Sequence, residues 1–208
     1  MLLSKVEIGT IERLRDNRSD VNDAVEVLAR AFGDSLGVSF ISNYNPKVTK
    51  KIFLFLIKRG LSSGVVYICR DEEDKIQGVA VWASPPTYLE VFKCGWRSLF
   101  WTFVHEPKAL INLFDCLSFC SRIEDEISPD PHMSLCYLGV SPKSRGRGMG
   151  TALMEKAMEE IDLPCYLELV GPLDEINSLE RFYRKFGFEP ASRQAYYKSE
   201  LWHMAMVR

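Results

Sequence analysis

The sequence predicts a mixed α/β sheet packed between helices. Two observations carry that expectation: strand-like apolar runs alternate with helical stripes both early and late in the chain, and a glycine-rich turn joins a strand directly to an amphipathic helix. Residues 4–14 suit an opening strand. Ser19-Asp20 offers an N-cap for a helix whose Val21, Val25, Leu28 and Phe32 share one face and which Gly33 can close. A second helix starts after Asn45-Pro46 and runs through IFLFLIKRG. GVVYICR, the turn-like DEEDK and IQGVAVWA then read as a hairpin, ended by Pro85-Pro86.

Residues 87–131 interrupt this order with two helices, the first halted near Pro107. The second carries a stripe of Leu110, Leu113, Phe114 and Leu117, expected to pack on the rest of the fold. The chain then returns to a strand, MSLCYLGV. After the glycine-rich turn, a helix sets Leu153, Met154, Ala157, Met158 and Ile161 on one face and Glu155, Lys156, Glu159 and Glu160 on the other. A strand (CYLELV), a short helix over 177–186 and two strands within 188–208 complete the order. One domain over residues 1–208 is expected, with a helical insertion at about 87–131.

Composition narrows the function. With 208 residues, 47% apolar and 26% charged, the chain is too apolar for intrinsic disorder. Its 26 Lys plus Arg against 28 Asp plus Glu give a net charge of −2, which argues against a nucleic-acid partner. The longest apolar run, Ile52 to Ile57, is far short of the roughly 20 residues of a membrane span. The opening MLLSKVEIGT does not read as a signal peptide, so a cytoplasmic protein without a membrane partner is expected. Six cysteines form no Cys-x-x-Cys pair. Cys116 and Cys120 share a helical face at i, i+4, but His105, His132 and His203 are scattered and supply no zinc spacing, so no metal is expected.

The segment with most chemistry is LGVSPKSRGRGMGT, Leu138 to Thr151. Gly146, Gly148 and Gly150 let the backbone approach a ligand, and successive N–H groups at a helix N-terminus form an anion site. Lys143, Arg145 and Arg147 add positive charge. A phosphate or pyrophosphate cradle is the physical reading. Neither a Walker loop nor a dinucleotide fingerprint fits, because no Lys-Ser/Thr pair follows the glycines and their spacing is wrong.

Arg145-x-x-Gly148-x-Gly150, preceded by Tyr137-Leu138-Gly139-Val140 and Ser141-Pro142, resembles the acyl-CoA motif of the GNAT-type N-acetyltransferases. The element order is similar over nearly the whole chain, most strongly from residue 131 to 190. The resemblance implies the GNAT fold, with a mostly antiparallel sheet, and acetyl-CoA as co-substrate without a metal. It implies that backbone amides from Arg145 through Gly146, Arg147, Gly148, Met149 and Gly150 to Thr151 grip the pyrophosphate. The strand Leu138, Gly139, Val140 would pair with the pantetheine arm, with Gly139 marking a bulge that splays it from CYLELV.

Tyr183, in FYRKFGF, matches the family's tyrosine that protonates the departing thiolate; its place in the stripe Leu179, Phe182, Tyr183, Phe186 is equally that of a core residue. Asn177 resembles an asparagine that contacts the cofactor arm, or else caps its helix. Glu168 is a candidate general base and His132 an alternative, each with a structural reading beside it. No Ser-His-Asp or Cys-His pattern points to an acyl-enzyme, so direct attack of an amine on the thioester is the simpler mechanism.

The acceptor, a small-molecule or peptide amine of unidentified kind, would enter beside FGDSLGVSFISNYNP, with Asp34, Phe40 and Tyr44 available. Trp96, Trp101 and Phe103 would cover the same side as part of a substrate lid, a homodimer surface or extra core; apolar content favours core. A non-catalytic acyl-CoA-binding or regulatory protein is the alternative function.

Overall fold

The computed structural model describes residues 9–85, 100–102, 104–128, 131–196 and 201–208. Its centre is a seven-stranded sheet in the order β1-β2-β3-β4-β5-β7-β6. The strands are β1 (Ile11–Arg13), β2 (Gly64–Arg70), β3 (Ile76–Ala83), β4 (Met133–Val140), β5 (Cys165–Gly171), β6 (Glu189–Ala195) and β7 (Trp202–Val207). Every neighbouring pair is antiparallel except β4–β5. The helices are α1 (Arg18–Ala31), α2 (Leu36–Ile41), α3 (Pro46–Ser63), α4 (Pro107–Ile127), α5 (Met149–Glu160) and α6 (Leu173–Arg184).

Strand alternation sorts the side chains. Tyr67, Ala80, Trp82, Leu135, Leu167, Leu169, Met204 and Met206 face α5 and α6. On the opposite face, Val66, Ile68, Val79 and Val81 pack under α1 and α3. Tyr166 and Ala205 meet Phe119 and Ile123 of α4. Tyr67 and Trp82 are fully buried, each contributing about 2–3 kcal/mol of apolar burial.

Most expected elements are present, with instructive shifts. The cap of α1 is Asn17, whose Oδ1 accepts from the Asp20 N–H at 2.9 Å, two residues before the expected Ser19-Asp20. Asp20 instead lies in the first turn, 3.2 Å from an Arg70 guanidinium nitrogen. Asn45 caps α3 as expected, accepting from the N–H groups of Lys47 and Val48. The segment expected as an open loop after Gly33 contains α2, started by Ser35. Of the opening strand, Ile11–Arg13 is strand, and residues 1–8 lie outside the described set.

The stripe on α4 is corrected. Ala109, Cys116, Phe119 and Ile123 face the core, whereas Phe114 and Leu117 are about half exposed, at 52% and 50%. Both sets recur at helical spacing, and the sheet selects the one beside Tyr166 and Tyr196. α6 starts at Leu173 rather than 177, because the chain turns directly out of β5 at Pro172. The bulge in β4 is also displaced: Val81 pairs with Tyr137 and Trp82 with Leu135, leaving Cys136 as the extra residue, while Gly139 pairs regularly with Val79. Gly139 is small for another reason. A Cβ there would stand 2.9 Å from Leu28, 3.0 Å from Phe32 and 3.1 Å from Ala31, so the glycine admits α1 against the strand.

Candidate active site

The centre of the sheet opens on one side. β4 and β5 are matched at Met133–Cys165, Ser134–Tyr166 and Leu135–Leu167, and no pair follows. β4 nevertheless continues against β3 to Val140, and β5 against β7 to Gly171. The facing edges from Cys136 and Glu168 onward therefore bound a wedge whose backbone groups can pair with an extended ligand.

At the mouth of that wedge β4 runs into the glycine-rich turn. Ser141 donates its N–H to Gln77 O at 2.7 Å, fixing the strand end, and Pro142–Ser144 makes one 3-10 turn. Gly146 and Gly148 then take φ of 75° and 82°, a left-handed conformation that favours glycine. Gly148 is the N-cap of α5 and brings no side chain to its first-turn N–H groups. A groove of about 380 Å³ follows, lined by Val140, Arg145, Gly146, Gly148, Gly150, Thr151 and Phe182. Lys143, Arg145 and Arg147 are exposed around it. Uncapped amides, a helix dipole and three cations fit a pyrophosphate. Arg145 also has a structural tie, its Nη2 donating to Ala31 O at the end of α1 at 2.6 Å.

Tyr183 comes from α6 with only 6% exposure, its ring 5.0 Å from Phe182 and 6.1 Å from Phe188. Burial pushes its phenol well above the ordinary range, so it stays protonated and neutral at pH 7. Asn177 lies in the second turn of α6, away from the cap, and its Oδ1 accepts from Arg193 Nη2 at 2.5 Å.

Glu168 projects from β5 on the α4 side. Its carboxylate accepts from Tyr166 Oη at 2.5 Å and lies 3.3 Å from His203 Nε2. Burial pushes its pKa up, but His203, Cys120 and Tyr166 together hold it below the usual carboxylate value. His132 is buried at the start of β4, with Nε2 3.0 Å from Glu124 Oε1. Glu124 also accepts from Ser134 Oγ.

In the segment expected to border acceptor entry, Phe40 packs 6.2 Å from Tyr196, while Asp34 and Tyr44 are exposed. The insertion is tied to this loop through Asn112, which donates to Phe40 O at 2.8 Å, and through Glu106, which accepts from Asn45 at 2.7 Å. Trp101 stacks on His105 beneath Lys51. Trp96 and Phe103 lie outside the described residues. Spacing along the chain missed Cys120, Tyr166 and His203 as neighbours of Glu168. Strand alternation could have placed Tyr166 there, but α4 and β7 are brought in by tertiary contact alone.

Comparison with known proteins agrees with this geometry. Residues 98–190 match the family model of the acetyltransferase (GNAT) domain. A structure described as a histone acetyltransferase and related acetyltransferase from Corynebacterium glutamicum superposes with a TM-score of 0.63 at 20% identity, covering 96% of this chain and 95% of that one. Arylalkylamine N-acetyltransferase 2 from Aedes aegypti gives 0.62 at 15% identity, covering 96% and 99%. The ribosomal-protein-S18-alanine N-acetyltransferase of Escherichia coli gives 0.52 at 16% identity, covering 95% and 91%. The chain has the GNAT fold, and its residues 98–190 match the acetyltransferase (GNAT) domain.

Proposed function

We propose that the protein transfers an acetyl group from acetyl-CoA to the primary amine of a small molecule or peptide, by direct attack on the thioester. The observation that supports this reading is the groove at Val140, where β4 enters the uncapped start of α5, on the same strand whose pairing with β5 ends at Leu135–Leu167. Acetyl-CoA, when bound, supplies the activated acyl group.

In this reading the amides from Arg145 to Thr151 hold the pyrophosphate, and the edge at Leu138, Gly139 and Val140 pairs with the pantetheine arm. The same edge presents N–H groups where negative charge develops on the thioester oxygen. Glu168, ionised, accepts the proton that the acceptor ammonium must lose before attack. The C–N bond forms as the C–S bond breaks, Tyr183 Oη gives its proton to the departing sulfur, and the second proton shed by the new amide nitrogen restores the phenol. Asn177 orients the cofactor arm through its position beside Arg193.

The test is calorimetric titration with acetyl-CoA, followed by free-thiol release across a panel of amines. Saturable one-site binding with amine-dependent thiol release is the expected result. A folded protein that binds no acetyl-CoA at millimolar concentration overturns the reading.

A further inference from the structure

We propose that Cys120, Glu168 and His203 form a binding site for a thiophilic divalent cation of the zinc type, and that occupation of this site blocks acetyl transfer. Three elements converge to make it: Cys120 on α4, Glu168 on β5 and His203 on β7. One donor atom from each lies within 4.8 Å of the others, and Glu168 Oε1 is 3.3 Å from His203 Nε2. Tetrahedral zinc with bonds of about 2.0–2.3 Å separates its ligand atoms by roughly 3.3–3.8 Å, so the carboxylate and imidazole are already at ligand spacing. Closing the remainder takes about 1 Å, within the reach of side-chain torsions.

A buried ion pair between Glu168 and His203 would explain their proximity alone, but it leaves other features without a cause. His203 is fully buried, and among the described residues neither ring nitrogen makes a hydrogen bond. Orphaned imidazole nitrogens in a protein interior are costly unless another partner takes them. Nε2 stands close to the carboxylate without hydrogen-bond alignment, as two ligands of one central ion do. The soft donor, Cys120, stands beside them, and Cys116 Sγ one turn earlier is 3.9 Å from Cys120 Sγ, near enough to be a fourth donor. A thiol, an imidazole and a carboxylate favour zinc over the hard cations magnesium and calcium. The carboxylate also has a hydrogen-bonded neighbour in Tyr166, the kind of outer contact that orients a ligand. Entry is on the Glu168 side, which is 19% exposed.

A cation held here takes the lone pairs of the carboxylate assigned as general base. That inhibitory consequence rests on the proposed function, whereas cation binding does not.

The experiment uses the full chain, stripped with chelator and free of any histidine tag, without acetyl-CoA. Zinc is titrated in competition with a chromophoric chelator, and cobalt is added separately and followed by its visible and thiolate charge-transfer absorption. One zinc per chain, a thiolate–cobalt band, and indifference to magnesium are expected. Cys120→Ser and His203→Gln should each weaken zinc binding at least tenfold, while Cys165→Ser leaves it unchanged. Absence of stoichiometric zinc binding by the unsubstituted protein overturns the proposal, with no dependence on how the variants fold. Equal loss in the Cys165→Ser control also overturns it. In a separate thiol-release assay with acetyl-CoA and an amine, bound zinc should abolish transfer; undiminished transfer overturns the inhibitory part and the role of Glu168 as base with it.

Discussion

Arg145 reaches across 114 positions of sequence to donate to the carbonyl of Ala31, so the turn that lines the groove is fastened to the last residue of α1. The neighbouring Arg147 is exposed on the same turn. The two cations therefore predict different defects.

Arg147→Glu should weaken acetyl-CoA binding by at least about tenfold through charge reversal at the groove, with little effect on stability. Arg145→Ala should weaken binding and also loosen the turn. Calorimetry at two salt concentrations with chemical denaturation separates them: the Arg147→Glu defect shrinks as salt rises, and the Arg145→Ala defect persists.

Tyr183→Phe should lower kcat by roughly a hundredfold and leave acetyl-CoA affinity intact, because it removes a proton donor and keeps the ring among Phe182 and Phe188. Steady-state kinetics with a responsive amine checks this. A large stability loss with unchanged kcat would assign the residue to the core.

Gly139→Ala should destabilise the fold by about 1–3 kcal/mol, since its methyl meets Leu28, Phe32 and Ala31 at 3.1 Å or less. Urea denaturation measures it. If stability is unchanged, α1 yields more readily than its packing implies.

Glu160 sets an acid limit on stability. Hydrogen bonds from Lys156, Arg13 and Tyr67 hold its carboxyl at about 2, against an ordinary 4.5. The unfolded chain therefore binds more protons between these values, and the contribution is present above pH 4.5 and lost as pH falls towards 2. Glu160→Gln should flatten the pH dependence of the urea midpoint over that window.

The uncapped start of α5 was legible in the sequence because its signal is local: three glycines and three cations between Lys143 and Gly150, directly after a strand. The helical faces of α1 and α5 were legible for a similar reason, each offering one apolar stripe. On α4, Leu110, Leu113, Phe114 and Leu117 compete with Ala109, Cys116, Phe119 and Ile123, and only the sheet beneath decides between them. The Cys136 bulge depends on the register of β3 against β4, which neither strand encodes alone. Cys120 and His203 reach Glu168 from α4 and β7, two elements far from it in sequence, a grouping to which residue spacing is blind.

The sheet order also constrains how the protein is made. Among the described residues β6 has no neighbour but β7, which joins it to β5. Until residues 202–207 leave the ribosome, β5 is an open edge, and the Glu168 side of the wedge lacks the strand that carries His203. The first five strands can assemble progressively, but β5 gains its second neighbour only when β7 docks. A chain stalled before Trp202 would expose that edge to other chains.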